Sequence, residues 1–319
     1  MMQSGNEVMK LLFLLIAALV VVAVILYAFF PRVLFNLARK ALRRKGKMRF
    51  ESVRVGDMTW PFLEGGNPQG EPVVLVHGFG GDKDNWSIYA PYLTSQYRLI
   101  CPDLPGFGEN DRTIDRDHGM TAQTGRLKDF LDALGIDKCH LGGNSMGGYI
   151  ALLFAITYPH RLLSLTLLNN GGVIGPNASE LQAQVENGEK PLVMRTLADV
   201  DRLMGFVVHK PRFIPRQFKK IALEDAKPHE ALLDKIFSQI VEDAQERALN
   251  DQLDKVVTPT QIIWGRHDQL IDVSCATTQH EGIKGSELVI FEDAGHVPMI
   301  ETPAETAKHH LAFLAKHRV

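Results

Sequence analysis

The sequence predicts an α/β fold built on a mostly parallel sheet, and three observations predict it. Unbroken apolar runs, such as residues 73–76 and 288–291, end at glycine-containing loops. Helical patterns lie between these runs, and the alternation repeats along most of the chain. Apolar runs of this kind are typical of parallel strands that are covered by helices on both faces. The 319 residues, 45% of them hydrophobic, are enough for one large core.

Eight strands are predicted in order along the chain. Two lead, and the other six alternate with helices. The predicted strands lie near residues 50–54, 58–63, 73–77, 97–102, 139–144, 164–169, 260–264 and 286–291. Leu127, Phe130, Leu131 and Leu134 recur at helical spacing, and Gly135 ends that helix. Further helices are predicted over residues 145–158 and 303–317.

The alternation breaks over residues 173–256, where helix-forming and proline-punctuated sequence replaces the strand patterns. A segment of this length is too long for a structureless loop inside a compact domain. We therefore predict a helical cap over the carboxyl edge of the sheet. Apolar cap residues, including Phe206 and Phe213, either line a pocket for an apolar ligand, contact lipid or pack against the core.

An apolar segment opens the chain, because residues 11–30 contain no charged side chain. As a helix this segment spans about 30 Å, the thickness of the hydrocarbon core of a bilayer. We predict an uncleaved transmembrane anchor. The alternative is a cleaved signal peptide, which the length of the run and the absence of a small-residue cleavage site disfavour.

The positive charge is concentrated directly after the anchor. Residues 31–50 carry eight basic side chains and no acidic one, which leaves a formal charge of −10 on residues 51–319. The positive-inside rule then predicts that the domain after the anchor lies in the cytoplasm, and a nucleic-acid partner is not expected. Residues 31–45 form either an interfacial helix or a solvated basic linker. The predicted units are a transmembrane anchor (1–30), a basic juxtamembrane segment (31–50), a core (51–172 with 257–319) and a cap (173–256).

The three cysteines, Cys101, Cys139 and Cys275, fall in two predicted buried strands and one helix. Their spacing offers neither a CxxC motif nor a cysteine–histidine cluster, so no metal site is expected. We interpret them as small apolar side chains in a reducing compartment.

Ser145 is the strongest candidate for a catalytic residue. It lies between Gly143 and Gly147, where an apolar strand run meets a helix. A sharp strand-to-helix turn strains the residue at its apex, and nearby glycines remove side chains that would clash there. The free N–H of Met146 at the helix start then favours developing negative charge. The pattern alone also fits a plain glycine-rich turn.

A second glycine-rich turn follows the strand predicted at residues 73–77. It begins His77-Gly78-Phe79. The glycines free the backbone to direct an N–H group into a cleft. We predict Phe79 and Met146 as the two oxyanion donors. A simple loop is the alternative.

A nucleophilic serine needs a histidine base and a carboxylate that orients it. Asp268 and His296 each follow an apolar strand run that breaks at glycine. Parallel strands bring their carboxyl ends to one edge, so these two loops and the Ser145 loop are expected to converge. Asp272 and Asp293 are the alternatives for the acid. The strand predicted near residues 164–169 ends in amide side chains instead.

These motifs resemble the α/β-hydrolase family over about residues 51–319. The resemblance lies in HGFG, DLPGFG, GNSMGG, WGRHD and GH at residues 77–80, 103–108, 143–148, 264–268 and 295–296. Within the family, the anchor and residues 257–265 are most similar to membrane-anchored monoacylglycerol lipases and to bacterial lipases. The resemblance implies an α/β-hydrolase fold with a cap, and an acyl-enzyme mechanism without metal or cofactor. Asn144 departs from the lipase pattern and is typical of carbon–carbon bond hydrolases.

The expected substrate is a lipophilic ester, such as a monoacylglycerol, at a membrane. We predict that Phe79 and Met146, with Asn144, Phe206 and Val297, contact it. Two alternatives remain at this point: a carbon–carbon bond hydrolase that uses the same three residues, and a non-catalytic membrane-bound binding protein.

Overall fold

A computed structural model of the chain describes residues 2–211 and 213–318. Its centre is one eight-stranded sheet with the order β1-β2-β4-β3-β5-β6-β7-β8. The strands are β1 Met48–Val55, β2 Met58–Gly66, β3 Pro72–Val76, β4 Arg98–Pro102, β5 Cys139–Asn144, β6 Leu162–Leu168, β7 Thr260–Gly265 and β8 Glu287–Phe291. β2 runs antiparallel to β1 and β4, and all other neighbours are parallel. The predicted eight-stranded, mostly parallel sheet is confirmed.

Three strand boundaries differ from the prediction by two or three residues, and one of them is the start of β6, at Leu162 rather than at residue 164. β1 begins at Met48 rather than at residue 50, and β2 ends at Gly66 rather than at residue 63. Gly65 and Gly66 lie beyond the predicted end of this strand, but they pair with β4 opposite Leu99 and Arg98. A neighbouring strand supplies hydrogen-bond partners that a local pattern does not reveal.

Helices cover both faces of the sheet. Those in the described residues are α1 Met2–Phe29, α2 Pro31–Lys45, α3 Ala90–Leu93, α4 Met120–Ala133, α5 Met146–Thr157, α6 Glu180–Glu186, α7 Leu197–Val207, α8 Arg216–Ala226, α9 Glu230–Glu246, α10 Ser274–Gly282, α11 Pro298–Glu301 and α12 Pro303–Lys316. Short 3-10 helices span Lys83–Trp86, Pro159–Arg161, Lys227–His229 and Asn250–Lys255. The helices predicted over residues 145–158 and 303–317 are confirmed as α5 and α12.

The core has two halves, one on each face of the sheet. Val74 and Val76 belong to one buried cluster, whereas Val73 and Leu75, the alternate residues of β3, belong to the other. Side chains of a strand point alternately to opposite faces, so β3 is buried on both sides. This explains why its sequence is apolar without interruption.

The segment between β6 and β7 holds the four helices α6 to α9. It contacts the core close to the loops that follow the parallel strands. Phe237 of α9 packs edge-on against Phe79, with ring centroids 5.7 Å apart. At the end of α7, the Val207 carbonyl accepts a hydrogen bond from the His296 N–H at 3.0 Å.

The N-terminal helix α1 contains the one candidate membrane span in the described part of the chain. Residues Met9–Phe29 have a mean hydropathy of 3.2, and none of the window is buried in the protein. By length and composition this helix is able to cross a bilayer.

The basic segment after α1 is helical and docks on the rest of the protein. In α2, Arg43 forms a bidentate pair with Asp84 at 2.7 and 2.6 Å, and Arg39 also binds Asp84. Arg32 contacts Asp225 of α8 at 2.7 Å. The basic residues therefore do not act as one solvated linker, because three of them pair with carboxylates of core and cap. The predicted boundary between this segment and the core, at residue 51, falls inside β1.

Candidate active site

Ser145 occupies the sharp turn between β5 and α5. Its backbone has φ 57° and ψ −121°, a strained conformation for a residue with a side chain. The turn is possible because glycines surround it. A Cβ atom on Gly147 would lie 2.3 Å from the Val76 carbonyl oxygen, and one on Gly143 would lie 2.2 Å from the Gly147 carbonyl oxygen. The turn presents the partly exposed Ser145 at the carboxyl edge of the sheet.

Asp268 follows β7 and His296 follows β8, and the two side chains meet. Nδ1 of His296 donates to Oδ2 of Asp268 at 2.8 Å, and both residues are buried. The other oxygen of Asp268 accepts the N–H groups of Leu270 and Ile271 at 2.8 and 3.0 Å. Because Nδ1 carries the proton, Nε2 of the neutral imidazole is the nitrogen that is able to accept one.

The Ser145 loop and the His296 loop are joined through Asn144. Its amide nitrogen donates to the His296 carbonyl at 2.9 Å and to the Leu168 carbonyl at 3.0 Å. The side chain is 2% exposed, so these contacts account for its burial. Within the described residues no hydrogen bond joins Ser145 Oγ to the imidazole. Catalytic hydrogen bonds often tighten only when substrate binds.

Neither alternative acid contacts His296 in the part of the chain that the structure describes. Asp272 accepts the N–H of Ser274 at 2.9 Å, at the start of α10. Asp293 is exposed and pairs with Lys210 at 2.7 Å. Of the candidate carboxylates, Asp268 is the one beside the imidazole.

Asn169 is a residue of the site that the sequence reasoning did not assign. It lies directly after β6 with φ 44°, and its amide nitrogen donates to Oδ2 of Asp268 at 2.7 Å and to the Gly295 carbonyl at 3.2 Å. Its amide oxygen accepts the Gly265 N–H at 3.3 Å. The sequence shows asparagines directly after β6. Their role follows only from the pairing of β6 with β7, which brings Asn169 to Asp268.

Two backbone N–H groups lie at the predicted oxyanion positions. Those of Phe79 and Met146 donate to no protein acceptor within residues 2–211 and 213–318. The Phe79 loop adjoins Ser145, because a Cβ atom on Gly78 would lie 3.5 Å from Ser145 Oγ. Free N–H groups beside a hydroxyl are the donors that an oxyanion requires.

His77 fixes the backbone just before Phe79. Its Nδ1 donates to the Gly78 carbonyl at 2.8 Å, and its Nε2 accepts the Leu104 N–H at 3.0 Å. Burial lowers the pKa of His77, and the carboxylate of Asp103 opposes that shift. A neutral imidazole is required here, because one nitrogen must accept while the other donates.

Of the remaining predicted contact residues, Met146, Phe206 and Val297 are buried, and Phe79 is partly buried. Phe79 packs against Phe107 with centroids 5.6 Å apart, as well as against the cap. Met146 lies at the start of α5, Val297 directly follows His296, and Phe206 lies in α7 near the cap segment that contacts His296. Their contact with substrate, like that of Asn144, stays a prediction.

The described residues include three free cysteines and no cluster of metal-ligating side chains. No group of three or more histidine, cysteine or acidic side chains is arranged to hold a metal ion there. Cys101, Cys139 and Cys275 are free and buried. Burial raises the pKa of Cys139 to about 12 and that of Cys275 to about 11. A thiol with a raised pKa is a poor nucleophile.

The chain is similar to proteins of known family. A family profile described as the alpha/beta hydrolase fold matches residues 71–303. Lipase 1 of Psychrobacter immobilis is 38% identical over 79% of this chain and 79% of its own, and monoacylglycerol lipase abhd6-B of Xenopus laevis is 30% identical over 91% and 89%. A solved structure of a membrane phospholipase A, described as a bacterial virulence factor, superposes with a TM-score of 0.87 at 38% identity, over 97% of this chain and 99% of that one. The chain therefore belongs to the α/β-hydrolase family, as a serine ester hydrolase.

Proposed function

We propose that this enzyme hydrolyses lipophilic carboxylic esters at a membrane, with Ser145 as nucleophile, His296 as base and Asp268 as the carboxylate that orients the base. One observation carries the proposal. The strained Ser145 turn and the 2.8 Å contact between His296 and Asp268 lie at the same edge of the sheet, joined by Asn144.

The proposed reaction is acyl transfer to water. Nε2 of His296 takes the Ser145 proton as the hydroxyl oxygen attacks the ester carbonyl, and the imidazolium is stabilised by Asp268. His296 then protonates the leaving alcohol, which frees it and leaves an acyl-enzyme. Water, deprotonated by His296, releases the acid and restores Ser145.

The negative oxygen of each tetrahedral intermediate is assigned to the N–H groups of Phe79 and Met146. Their lack of other acceptors and the adjacency of the Phe79 loop to Ser145 support this assignment. Each donor of this kind contributes about 100- to 1,000-fold to the rate. His77, held neutral by burial, donates to the Gly78 carbonyl. This contact fixes the peptide group to which the Phe79 N–H belongs, and so fixes the direction of that N–H.

A membrane-embedded α1 would hold this site beside a bilayer. Its uncharged span, the basic residues that follow it and the lipases among the relatives support a lipophilic acyl substrate, such as a monoacylglycerol. By the positive-inside rule, the basic residues of α2 support a catalytic domain on the cytoplasmic side. Carbonate extraction of membranes is expected to leave the intact chain in the pellet. Recovery of the intact chain in the supernatant would contradict the anchor.

The alternative function, a carbon–carbon bond hydrolase, rested on the sequence position of Asn144. Asn144 suggested it from the sequence, but its amide nitrogen is used by two backbone carbonyls, those of Leu168 and His296. An asparagine at this position therefore has a role that is independent of substrate. Purified enzyme should turn over acyl esters and glycerides far faster than ring-fission dienoates, and the reverse order would establish the alternative.

The assignment of Ser145 is tested by labelling with a fluorophosphonate. The parent chain is expected to be labelled and to hydrolyse p-nitrophenyl esters, and Ser145→Ala should lose both properties, with a rate reduction of at least about 1,000-fold. Ser179→Ala is the matched control, because Ser179 only caps α6 and should change neither. Retention of esterase activity by folded Ser145→Ala would refute the proposal.

A further inference from the structure

The carboxylate of Glu301, at the end of α11, holds the backbone on both sides of His296. Oε1 accepts the N–H of Gly295 at 2.8 Å and that of Val297 at 3.3 Å. Hydrogen bonds to an ionised acceptor are about twice as strong as those between neutral groups. A single charged side chain therefore fixes the residues directly before and after the imidazole.

The second oxygen of Glu301 connects this loop to the cap. Oε2 accepts the N–H of His209 at 2.8 Å, just beyond α7. Two residues earlier, the Val207 carbonyl accepts the N–H of His296 itself at 3.0 Å. The contact is close, because a Cβ atom on Gly295 would lie 2.8 Å from the His209 nitrogen.

The same cap residue also touches the loop that carries Asp268. The imidazole ring of His209 stacks on that of His267, with centroids 3.7 Å apart and planes 7° from parallel. We call residues 207–209 the cap strut. The cap strut therefore contacts the residue before Asp268, the backbone of His296 and, through Glu301, both neighbours of His296.

We propose that Glu301 is a positioning residue for His296, and that it acts by fastening the His296 loop to the cap strut. This inference rests on the proposed function, since it assigns Glu301 a role through the proposed base. Displacement of a catalytic group by about 1 Å costs roughly 100-fold in rate. Three backbone donors on one carboxylate are suited to prevent such a displacement.

Two variants separate the parts of this role. Glu301→Ala removes all three acceptor contacts. Glu301→Gln keeps one acceptor oxygen. It therefore preserves either the contacts with Gly295 and Val297 or the contact with His209, but not both. Glu305→Gln is the matched control, because Glu305 is exposed in the first turn of α12 and loses the same charge.

The experiment uses the full-length chain in detergent, with p-nitrophenyl hexanoate as substrate and a fluorophosphonate to titrate active sites. Per titrated site, we expect kcat to fall about 100-fold in Glu301→Ala and about 10-fold in Glu301→Gln, because lost charge-assisted hydrogen bonds let the imidazole shift. KM should change less than kcat, and Glu305→Gln should match the parent. The acidic limb of the pH profile should also move in Glu301→Ala, since the surroundings of the base change.

Two results would overturn the inference. One is parent-like kcat per titrated site in Glu301→Ala, with only the number of titratable sites reduced, which indicates a purely structural role. The other is equal loss in Glu301→Gln and Glu301→Ala with an unmoved pH profile. Failure of the proposed function is distinct, because it requires an active Ser145→Ala. If Ser145→Ala is inactive while Glu301→Ala keeps the parent kcat per titrated site, only the inference about Glu301 is refuted.

Discussion

The two halves of the candidate site are held in place by different means. The Ser145 loop is fixed by shape, because Gly143 and Gly147 approach backbone atoms where no side chain fits. The His296 loop is fixed by polar side chains: Asn144 of β5 and Asn169 beyond β6 reach it from distant parts of the chain, and Glu301 of α11 lies five residues after His296.

This difference determines how each half responds to change. A loop held by close packing of backbone atoms does not accommodate an added side-chain atom, because the tightly packed surroundings do not shift to make room. A polar arrangement loses one hydrogen bond at a time, so single substitutions weaken it by about 1.5–3 kcal/mol per bond to a charged group. We therefore expect abrupt failure in the Ser145 loop and graded failure in the His296 loop.

The largest effect is expected from Gly147→Ala. Its Cβ would lie 2.3 Å from the Val76 carbonyl oxygen and 2.4 Å from the His77 carbonyl oxygen, so the Ser145 turn and the Phe79 loop cannot both keep their positions. We expect a loss of at least about 1,000-fold in kcat/KM, or failure to fold. The measurement is ester hydrolysis together with circular dichroism.

Gly125→Ala is the matched control for this substitution. Gly125 lies within α4, and an added Cβ there meets no atom within 4 Å. Alanine is the better helix former by up to about 1 kcal/mol, so this variant should keep its activity and gain stability. Near-parent activity in Gly147→Ala would show that the Ser145 loop is not fixed by shape.

A smaller, graded effect is expected at Asn169, which donates to Asp268 at 2.7 Å. Asn169→Gly accepts the φ of 44° without strain but removes the amide, whereas Asn169→Ala removes the amide and adds the cost of a left-handed conformation, about 1–2 kcal/mol. Both should lose about 10- to 100-fold in kcat/KM, because Asp268 loses a charge-assisted bond. Only Asn169→Ala should also lose melting temperature through strain.

The comparison of these two variants decides what the side chain contributes. If Asn169→Gly matches the parent in kcat/KM while Asn169→Ala does not, the residue serves the backbone and not Asp268. Asn169 would then no longer count among the three polar side chains that hold the His296 loop.

The same contrast explains what the sequence was able to predict. Ser145 was identifiable because its steric requirement is local: glycines lie two residues before and after it. The apolar strands and the placement of Asp268 and His296 after two of them were also local patterns. The fold class and the eight strands followed from these patterns and were confirmed.

Most of the polar contacts were not predictable, because they join residues that are far apart in the chain; the contacts of Glu301 with Gly295 and Val297 are the local exception. Asn169 contacts a carboxylate 99 residues away, and His209 contacts Glu301 92 residues away. Likewise, the charge pattern revealed a basic segment but not that Arg43 pairs with Asp84. That pair, with Arg39, lowers the pKa of Asp84 to about 2 despite the opposing effect of burial. Only the tertiary structure shows which charged side chains form ion pairs.

The smallest effect on activity is expected away from both loops, in the core that supports them. His310 of α12 is buried, and its Nδ1 lies 3.0 Å from the Tyr89 hydroxyl. Burial lowers the pKa of His310 to about 3 from an ordinary 6.5. The unfolded chain therefore binds a proton first on acidification, and stability falls as the pH drops below about 6.5.

At pH 5 this single group costs about 2 kcal/mol of folding free energy relative to pH 7, at 1.36 kcal/mol per pH unit below the unfolded pKa. Denaturant unfolding at both pH values should show a smaller acid-induced loss in His310→Gln than in the parent, by about that amount. The exposed His160→Gln should follow the parent. Activity at pH 7 should be nearly unchanged, because His310 touches neither loop. An identical acid-induced loss in His310→Gln and the parent would show that the acid sensitivity lies elsewhere, with His77, His118 and His140 as the other buried histidines whose pKa burial lowers.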